Sequence, residues 1–264
     1  MLIDFHVHAF ADSIAARAME KLSNTAKIIP HTDGTVADTV KKQKEWGIDL
    51  GVLLPIATKP SQQNTINNWA AEVGRSFKEI IPFGSVHPYA EDALEELERI
   101  KALGLKGIKL HPDYQGFFID DPKAFRIYEK CAELSLPVVF HAGFDAVSPD
   151  VIHALPKASL NAHRAVPQMT MILAHMGGVR CWDDVEQFLV GEDIYFDISF
   201  TAGEISSEQA KRIIKNHGAD KILFASDCPW SCPLSEINLI EGLGLSDAEK
   251  EMIYYKNAER LLGL

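Results

Sequence analysis

Residues 1–10 read MLIDFHVHAF, and the run from residue 3 to residue 8 decides how the rest is to be read. Ile3, Phe5 and Val7 alternate with Asp4, His6 and His8. Alternation at period two is the pattern of a β-strand, whose successive side chains face opposite sides. One face here is apolar and the other ionisable. The spacing predicts that Ile3, Phe5 and Val7 pack against helices, while Asp4, His6 and His8 point into whatever the strand helps to enclose.

Seven further apolar runs follow: DLGVLLP, EIIPFGSVHP, LKGIKLHP, LPVVFHAG, MTMILAHMGG, IYFDISF and KILFASD. They place eight strands beginning near residues 2, 49, 80, 107, 137, 170, 194 and 222. Helical patterns lie between them. VADTVKKQKEWG and EDALEELERIKALG both stop at a glycine, a favoured residue just past a helix end. DPKAFRIYEKCAELS carries Pro122 in its first turn, where the missing N–H costs little. SSEQAKRIIKNHG follows later, and SDAEKEMIYYKNAERLLGL opens on a Ser246–Glu249 capping-box pattern. Strands alternating with helices predict a parallel sheet with helical crossovers. Many runs are apolar throughout, as in sheets buried on both faces. Eight such units in 264 residues fit a closed barrel, which needs ~250 residues. The expected fold is therefore α/β, a single (β/α)8 TIM-barrel domain over residues 1–264. Residues 9–35 and 55–66 form long connections, of the kind that often serve as lids or binding loops.

Composition narrows the partners. Hydrophobic residues make up 47% of the chain, enough for a large core, and the formal charge of −11 disfavours nucleic acid and anionic membranes. No apolar run reaches transmembrane length, and no basic segment leads into an uninterrupted apolar stretch at the N-terminus. Cys131, Cys181, Cys228 and Cys232 have neither disulfide-framework nor four-cysteine zinc spacing. A cytoplasmic protein with reduced thiols is expected, acting on a small-molecule substrate, with a homo-oligomer left open.

In such barrels the active site lies at the C-terminal ends of the strands. The first strand ends at His6 and His8, the third at His87, the fourth at Lys109 and His111. The fifth ends at His141, the sixth at His175 and the eighth at Asp227. Six of the ten histidines thus fall in strand tails or just beyond, where packing alone would select apolar residues. Imidazoles and a carboxylate buried without partners are costly, and a metal ion removes the difficulty. Neutral imidazole and carboxylate suit Zn2+ or another divalent ion. His6 and His8, two residues apart, lie within ~7 Å along one face of a strand, and His141 and Asp227 can converge on the same ion. Arg180 is a candidate for a substrate carboxylate, and Trp182 and Trp230 for pocket walls. His87 and His111 read as residues of the mouth rather than ligands. His31, His153, His163 and His217 read as surface groups.

DFHVH, GIKLHP, VVFHAG, ILAHMGG, FASDCPW and the terminal KNAERLLGL together resemble the amidohydrolase superfamily. Within it they look most like the amidohydrolase-2 group, which includes the aminocarboxymuconate-semialdehyde decarboxylase-like enzymes. The resemblance runs the length of the chain. It implies a distorted (β/α)8 barrel with one divalent metal, usually zinc, on His6, His8, His141 and Asp227. It implies that Asp227 also contacts the reacting water and that His175 is an acid/base beside it, or a ligand to a second ion. A second ion would bring in a carboxylated Lys109, with His111 sharing its parity. The chemistry expected is a metal-activated water acting on a small carbonyl-containing or carboxylate substrate, that is, a metal-dependent hydrolase. The alternative is a non-oxidative decarboxylase of an unsaturated or aromatic carboxylate. A phosphoesterase or deoxyribonuclease also begins with HxH, but the AHMGG and SDCPW segments and the net acidity disfavour it. A catalytically silent small-ligand-binding barrel is disfavoured by the complete ligand set.

Overall fold

The computed structural model describes residues 1–264. Its strands are β1 (Ile3–Val7), β2 (Leu50–Leu53), β3 (Ile80–Pro82), β4 (Ile108–Leu110), β5 (Val138–Phe140), β6 (Met171–Leu173), β7 (Tyr195–Asp197) and β8 (Ile222–Leu223). Each begins within one residue of its predicted position. All neighbours pair in parallel, in the order β1-β2-β3 and β4-β5-β6-β7-β8. Two seams join these sheets into a ring. Gly84 bridges to Ile108 between β3 and β4, and Val7 bridges to Cys228 between β8 and β1. At the second seam Phe5 N–H donates to the Phe224 carbonyl and Asp227 N–H to the His6 carbonyl, both at 2.9 Å.

The helices are α1 (Asp12–Ala26), α2 (Val36–Glu45), α3 (Gln63–Ser76), α4 (Ala93–Ala102), the single turn α5 (Pro112–Gln115), α6 (Pro122–Glu133), α7 (Pro156–Ala165) and α8 (Trp182–Phe188). They continue with α9 (Ser207–His217), α10 (Pro233–Gly242), α11 (Asp247–Glu251) and, after a π-helical turn, α12 (Asn257–Leu262). The Ser246–Glu249 capping box starts α11 as expected. The two long connections are not bare loops, since α1 occupies most of 9–35 and the 55–66 stretch runs into α3. No helix is long and apolar enough to cross a membrane.

Two apolar clusters divide β4, β5, β6, β7 and β8 largely by parity, and the second reaches across to β1, β2 and β3. Val138, Phe140, Met171, Leu173, Ile108 and Leu110 face outward among helix residues such as Ile127 and Ile213. Val139, Ile172, Leu223, Val52, Phe83, Ile3 and Phe5 share a separate cluster closed by Ala258 and Leu262 of α12. Strands on opposite sides of a ring meet only inside it, so this second cluster is the barrel floor. That corrects the reading of β1. Ile3 and Phe5 fill the barrel instead of packing on helices, and Asp4 does not join the site. The cause is an irregularity in the β1–β2 register between Asp4 and Val7, which brings His6 inward directly after the inward Phe5. The buried Asp4 carboxylate closes the kink, accepting the Ser226 N–H at 2.9 Å, the Ser226 hydroxyl at 2.5 Å and the His6 N–H at 3.2 Å.

Two histidines read as surface groups are buried. His217 stacks on Phe196 at 4.0 Å, and its Nε2 donates to the Ile194 carbonyl at 2.8 Å. His163, on α7, is also shut off from solvent. Both lie on the inner faces of crossover helices; the His217 ring is hydrogen-bonded at both nitrogens, whereas His163 Nδ1 has no partner.

Candidate active site

Directly above the floor the inward positions turn polar. Val139 is followed by His141, and Lys109 and His111 both point inward from β4 and its end. The rim positions of His175 and Asp227 have left-handed backbones, with φ of 60° and 68°. Such conformations cost of order 1–2 kcal/mol outside glycine and occur where a site fixes the direction of a side chain.

His6 Nε2, His8 Nε2 and Asp227 Oδ1 converge. The two nitrogens are 3.1 Å apart, and the oxygen lies 3.4 Å from His6 and 3.2 Å from His8. The outer nitrogen of each ring fixes its tautomer. His6 Nδ1 donates to Asp197 Oδ2 at 2.8 Å, and His8 Nδ1 donates to the Leu54 carbonyl at 2.9 Å. Each neutral ring therefore turns a lone pair on Nε2 toward the other and toward a carboxylate. Three acceptors with no proton among them are a cation site. Their spacing is close to the ~3.3–3.4 Å between donors set tetrahedrally around an ion at zinc–nitrogen distance. Lys109 Nζ, fully buried, already donates to His6 Nε2 at 3.2 Å.

His141 carries a further unengaged ring nitrogen. His175 Nδ1 donates to the Ser199 carbonyl at 2.9 Å, so its Nε2 accepts from His141 Nδ1 at 3.0 Å. That leaves His141 Nε2 with a lone pair, buried and without a partner. An orphaned imidazole nitrogen in a wall that also carries three converging donors fits a metal-ligating histidine. The geometry brings His6, His8 and Asp227 into one tight group, and His141 into a second with His111 and Asp145. His111 Nδ1 accepts the Tyr114 N–H at 3.3 Å, so its proton sits on Nε2, 3.8 Å from Asp145. Its ring lies in a stack, 3.6 Å from Tyr114 on one side and 4.2 Å from His141 on the other.

The electrostatics favour neutral imidazoles. Burial, then the charge of Lys109, pushes His6 down to about 4. Burial, with His111 and His175 nearby, holds His141 well below the usual range. Burial brings Lys109 down to about 8. For Asp227 burial acts upward, but His6 and His8 outweigh it and keep the carboxyl below its ordinary value.

Three sequence candidates fall elsewhere or are already engaged. Trp182 packs in the outer core, and its indole N–H donates to the His175 carbonyl at 3.1 Å, bracing that strand end from behind. His87 does not line the pocket, because the segment after β3 is held outward by Asn67 on Ser85 and by Gln63 on the His87 N–H. Arg180 reaches the pocket but is tied to Glu204 at 2.9 Å and lies 4.8 Å over the Phe144 ring. Trp230 lines the pocket as expected.

Asp197 and Ser199 were missed. The Asp197 carboxylate, completely buried, holds His6 through Oδ2, and through Oδ1 accepts the backbone N–H groups of His175 and Ser199. Burial would raise its pKa, yet His6 and the hydrogen bonds around it hold the carboxyl well below the carboxylate range. Tyr195, Asp197 and Ser199 share one parity in IYFDISF, the same signal that marked β1.

The Amidohydrolase family (Amidohydro_2) matches residues 3–264. No curated protein sequence matches the chain. Among solved structures the fold is similar to an uncharacterized TIM-barrel protein, Bb4693, from Bordetella bronchiseptica, with TM-score 0.80, 20% identity and coverage of 99% of this chain and 98% of that one. It is also similar to 5-carboxyvanillate decarboxylase LigW from Sphingomonas paucimobilis, with TM-score 0.74, 14% identity and coverage of 100% and 99%. A third is a dihydroxybenzoic acid decarboxylase from Polaromonas sp. JS666 with bound manganese and the inhibitor 2-nitroresorcinol, at TM-score 0.74, 18% identity and coverage of 100% and 97%. With the family match spanning nearly the whole sequence and a divalent-metal donor set at the barrel mouth, the chain belongs to the amidohydrolase family of metal-dependent enzymes, in its amidohydrolase-2 group.

Proposed function

We propose that the chain is a zinc-dependent hydrolase acting on the carbonyl group of a small, largely apolar substrate. One observation carries the reading: lone pairs of His6 Nε2 and His8 Nε2 and an Asp227 oxygen meet within 3.4 Å with no proton between them. These three and His141 would hold the ion. A divalent ion in such a site supplies a water of lowered pKa and polarises a carbonyl oxygen.

The chain's own groups do the rest. Asp197 and the Leu54 carbonyl fix the tautomers of His6 and His8. Asp227 has a second carboxylate oxygen to receive a proton from the attacking water. His175 keeps one proton on Nδ1 against Ser199; its Nε2, which accepts the His141 Nδ1–H at 3.0 Å, would exchange that partner for the proton Asp227 takes from the water and pass it to the leaving group. Lys109, brought down to about 8 by burial, is a second proton holder beside the cluster.

A carboxy-lyase is the second reading, favoured by the likeness to decarboxylases of hydroxylated aromatic acids. There the substrate carboxylate would sit at the same donors, and a proton would go to carbon as carbon dioxide leaves. The test gives metal-loaded protein two substrate panels, one of esters, lactones and amides and one of aromatic and unsaturated carboxylates. Hydrolysis products lost on His175→Asn support the hydrolase. Carbon dioxide release from the second panel alone transfers the assignment to the lyase.

A further inference from the structure

The pocket above the histidines extends well beyond them. Its volume is about 580 Å³, and 19 of its 33 lining residues are hydrophobic. Away from the cluster it is walled by two helices from the long connections. Ile14, Ala18, Leu22 and Ala26 are four residues apart along α1, so they form one stripe, and all four line the pocket. Ala15 and Met19, beside the stripe on the same side of the helix, are buried against the protein, while Ala16, Arg17, Glu20 and Asn24 on the opposite face are exposed. From the other side come Ile66 and Trp69 of α3. The stripe spans twelve residues, ~18 Å at the helical rise.

The charges are distributed unevenly. Lys109 and Asp227 belong to the cluster. Asp145 accepts the Tyr114 hydroxyl at 3.1 Å, and Arg180 is paired with Glu204. The lining residues from α1, from 54–62 and from α3 include none that is charged; Thr58, Gln62 and Thr65 are their most polar members. A substrate with a phosphate, sugar or second carboxylate at its far end would find nothing there to replace its water. The partly exposed Ile14, at 43%, lies on the same stripe and gains by being covered.

We infer that the pocket takes an amphiphile, with one polar head, a carboxylate or an acyl carbonyl, at the histidine–aspartate cluster and an uncharged apolar tail along α1 and α3. The head-group part rests on the functional reading above; the tail part rests on the lining of the pocket. Small side chains at Ala18 and Ala26 leave room for the tail, and Leu22 contacts it between them. A hydrolase built this way acts on long-chain esters, amides or lactones in preference to their short-chain analogues.

The test is binding, read from tryptophan fluorescence of metal-loaded protein, since Trp69 and Trp230 both line the pocket. The probes are butanoate, hexanoate, octanoate and the dicarboxylate octanedioate. Affinity should rise about three- to fourfold per added methylene, as for full burial of each CH₂, and octanedioate should bind at least tenfold more weakly than octanoate. Leu22→Glu should retain its metal, because α1 does not touch the cluster, yet lose most of the gain from hexanoate to octanoate. Ala18→Trp, which fills the groove without adding charge, should do the same, and circular dichroism checks that both fold. A flat series, or octanedioate binding as well as octanoate, overturns the inference while a metal-replete protein keeps the functional reading intact. A protein that takes up no divalent ion overturns that reading and the head-group assignment with it.

Discussion

Along β5 and its end, Val139 points into the barrel and packs with Ile3, Val52 and Ile172, while two residues later His141 points the same way and leaves its Nε2 without a partner. The floor and the mouth are thus consecutive layers of one barrel. The floor is a close-packed apolar cluster that α12 seals with Ala258 and Leu262. In the mouth the inward groups are histidines, a lysine and carboxylates, with left-handed backbone at His175 and Asp227. The floor makes the protein stable; the mouth accepts strained backbone and facing lone pairs, which Lys109 relieves only at His6 Nε2. The two layers should therefore respond in opposite ways to substitution.

The largest stability effect belongs to the floor. Phe5 is fully buried and meets Phe83 edge-on at 5.8 Å. Phe5→Ala should lower unfolding free energy by ~3–5 kcal/mol, measured by urea denaturation, while the fraction that stays folded binds its ion normally. If metal content fell in step with stability, floor and mouth would not be separable layers.

The next effect is a pH dependence just outside the mouth. Glu236, completely buried on α10, faces the Thr201 and Ala202 N–H groups and the Thr201 hydroxyl of the loop that carries Phe200 into the pocket. The Thr201 hydroxyl lies 2.7 Å from the Ile198 carbonyl and 3.0 Å from Glu236 Oε2, and can donate to either. Burial pushes Glu236 up to about 8, against the opposing pull of its hydrogen bonds. A carboxyl raised in the folded state contributes stability that is full below its unfolded value near 4.5 and is lost as pH rises through about 8. The loss across that window should be on the order of 3–5 kcal/mol, and Glu236→Gln should flatten it. An unchanged slope in the variant would assign the dependence to another group.

A smaller effect sharpens the boundary between holding an ion and orienting its holders. Asp197→Asn leaves the three converging donors in place but removes the carboxylate that fixes the His6 tautomer. Affinity for the ion should fall ~10- to 100-fold, read by chelator competition, with a single ion still binding at saturation. Unaltered affinity would reduce Asp197 to a packing residue.

The strand positions and the candidate donors were legible because both follow period-two alternation with punctuation by glycine and proline. Asp4 was misread for a physical reason. A kink in the strand changes parity without changing sequence pattern, and Asp4, bonded to Ser226, is part of that kink. Trp182 was misplaced because distance along the chain from a strand end does not fix which way a helix start faces. The α1 helix escaped notice inside a connection, since its stripe of Ile14, Ala18, Leu22 and Ala26 faces a pocket rather than a core. Buried His217 could not be told from an exposed helix-end histidine without knowing that Phe196 lies beneath it.

The most direct test of the mouth is metal content by elemental analysis on purified wild-type, His141→Asn and His175→Asn proteins grown with ample metal. Wild type should carry one divalent ion per chain. His141→Asn should lose it if, as proposed, the orphaned Nε2 is the fourth donor to the ion. His175→Asn should keep the ion and the fold and lose ~100- to 10,000-fold in turnover, as expected for a missing acid/base. Wild-type protein without metal, or a folded His175→Asn that purifies metal-free, would contradict the account.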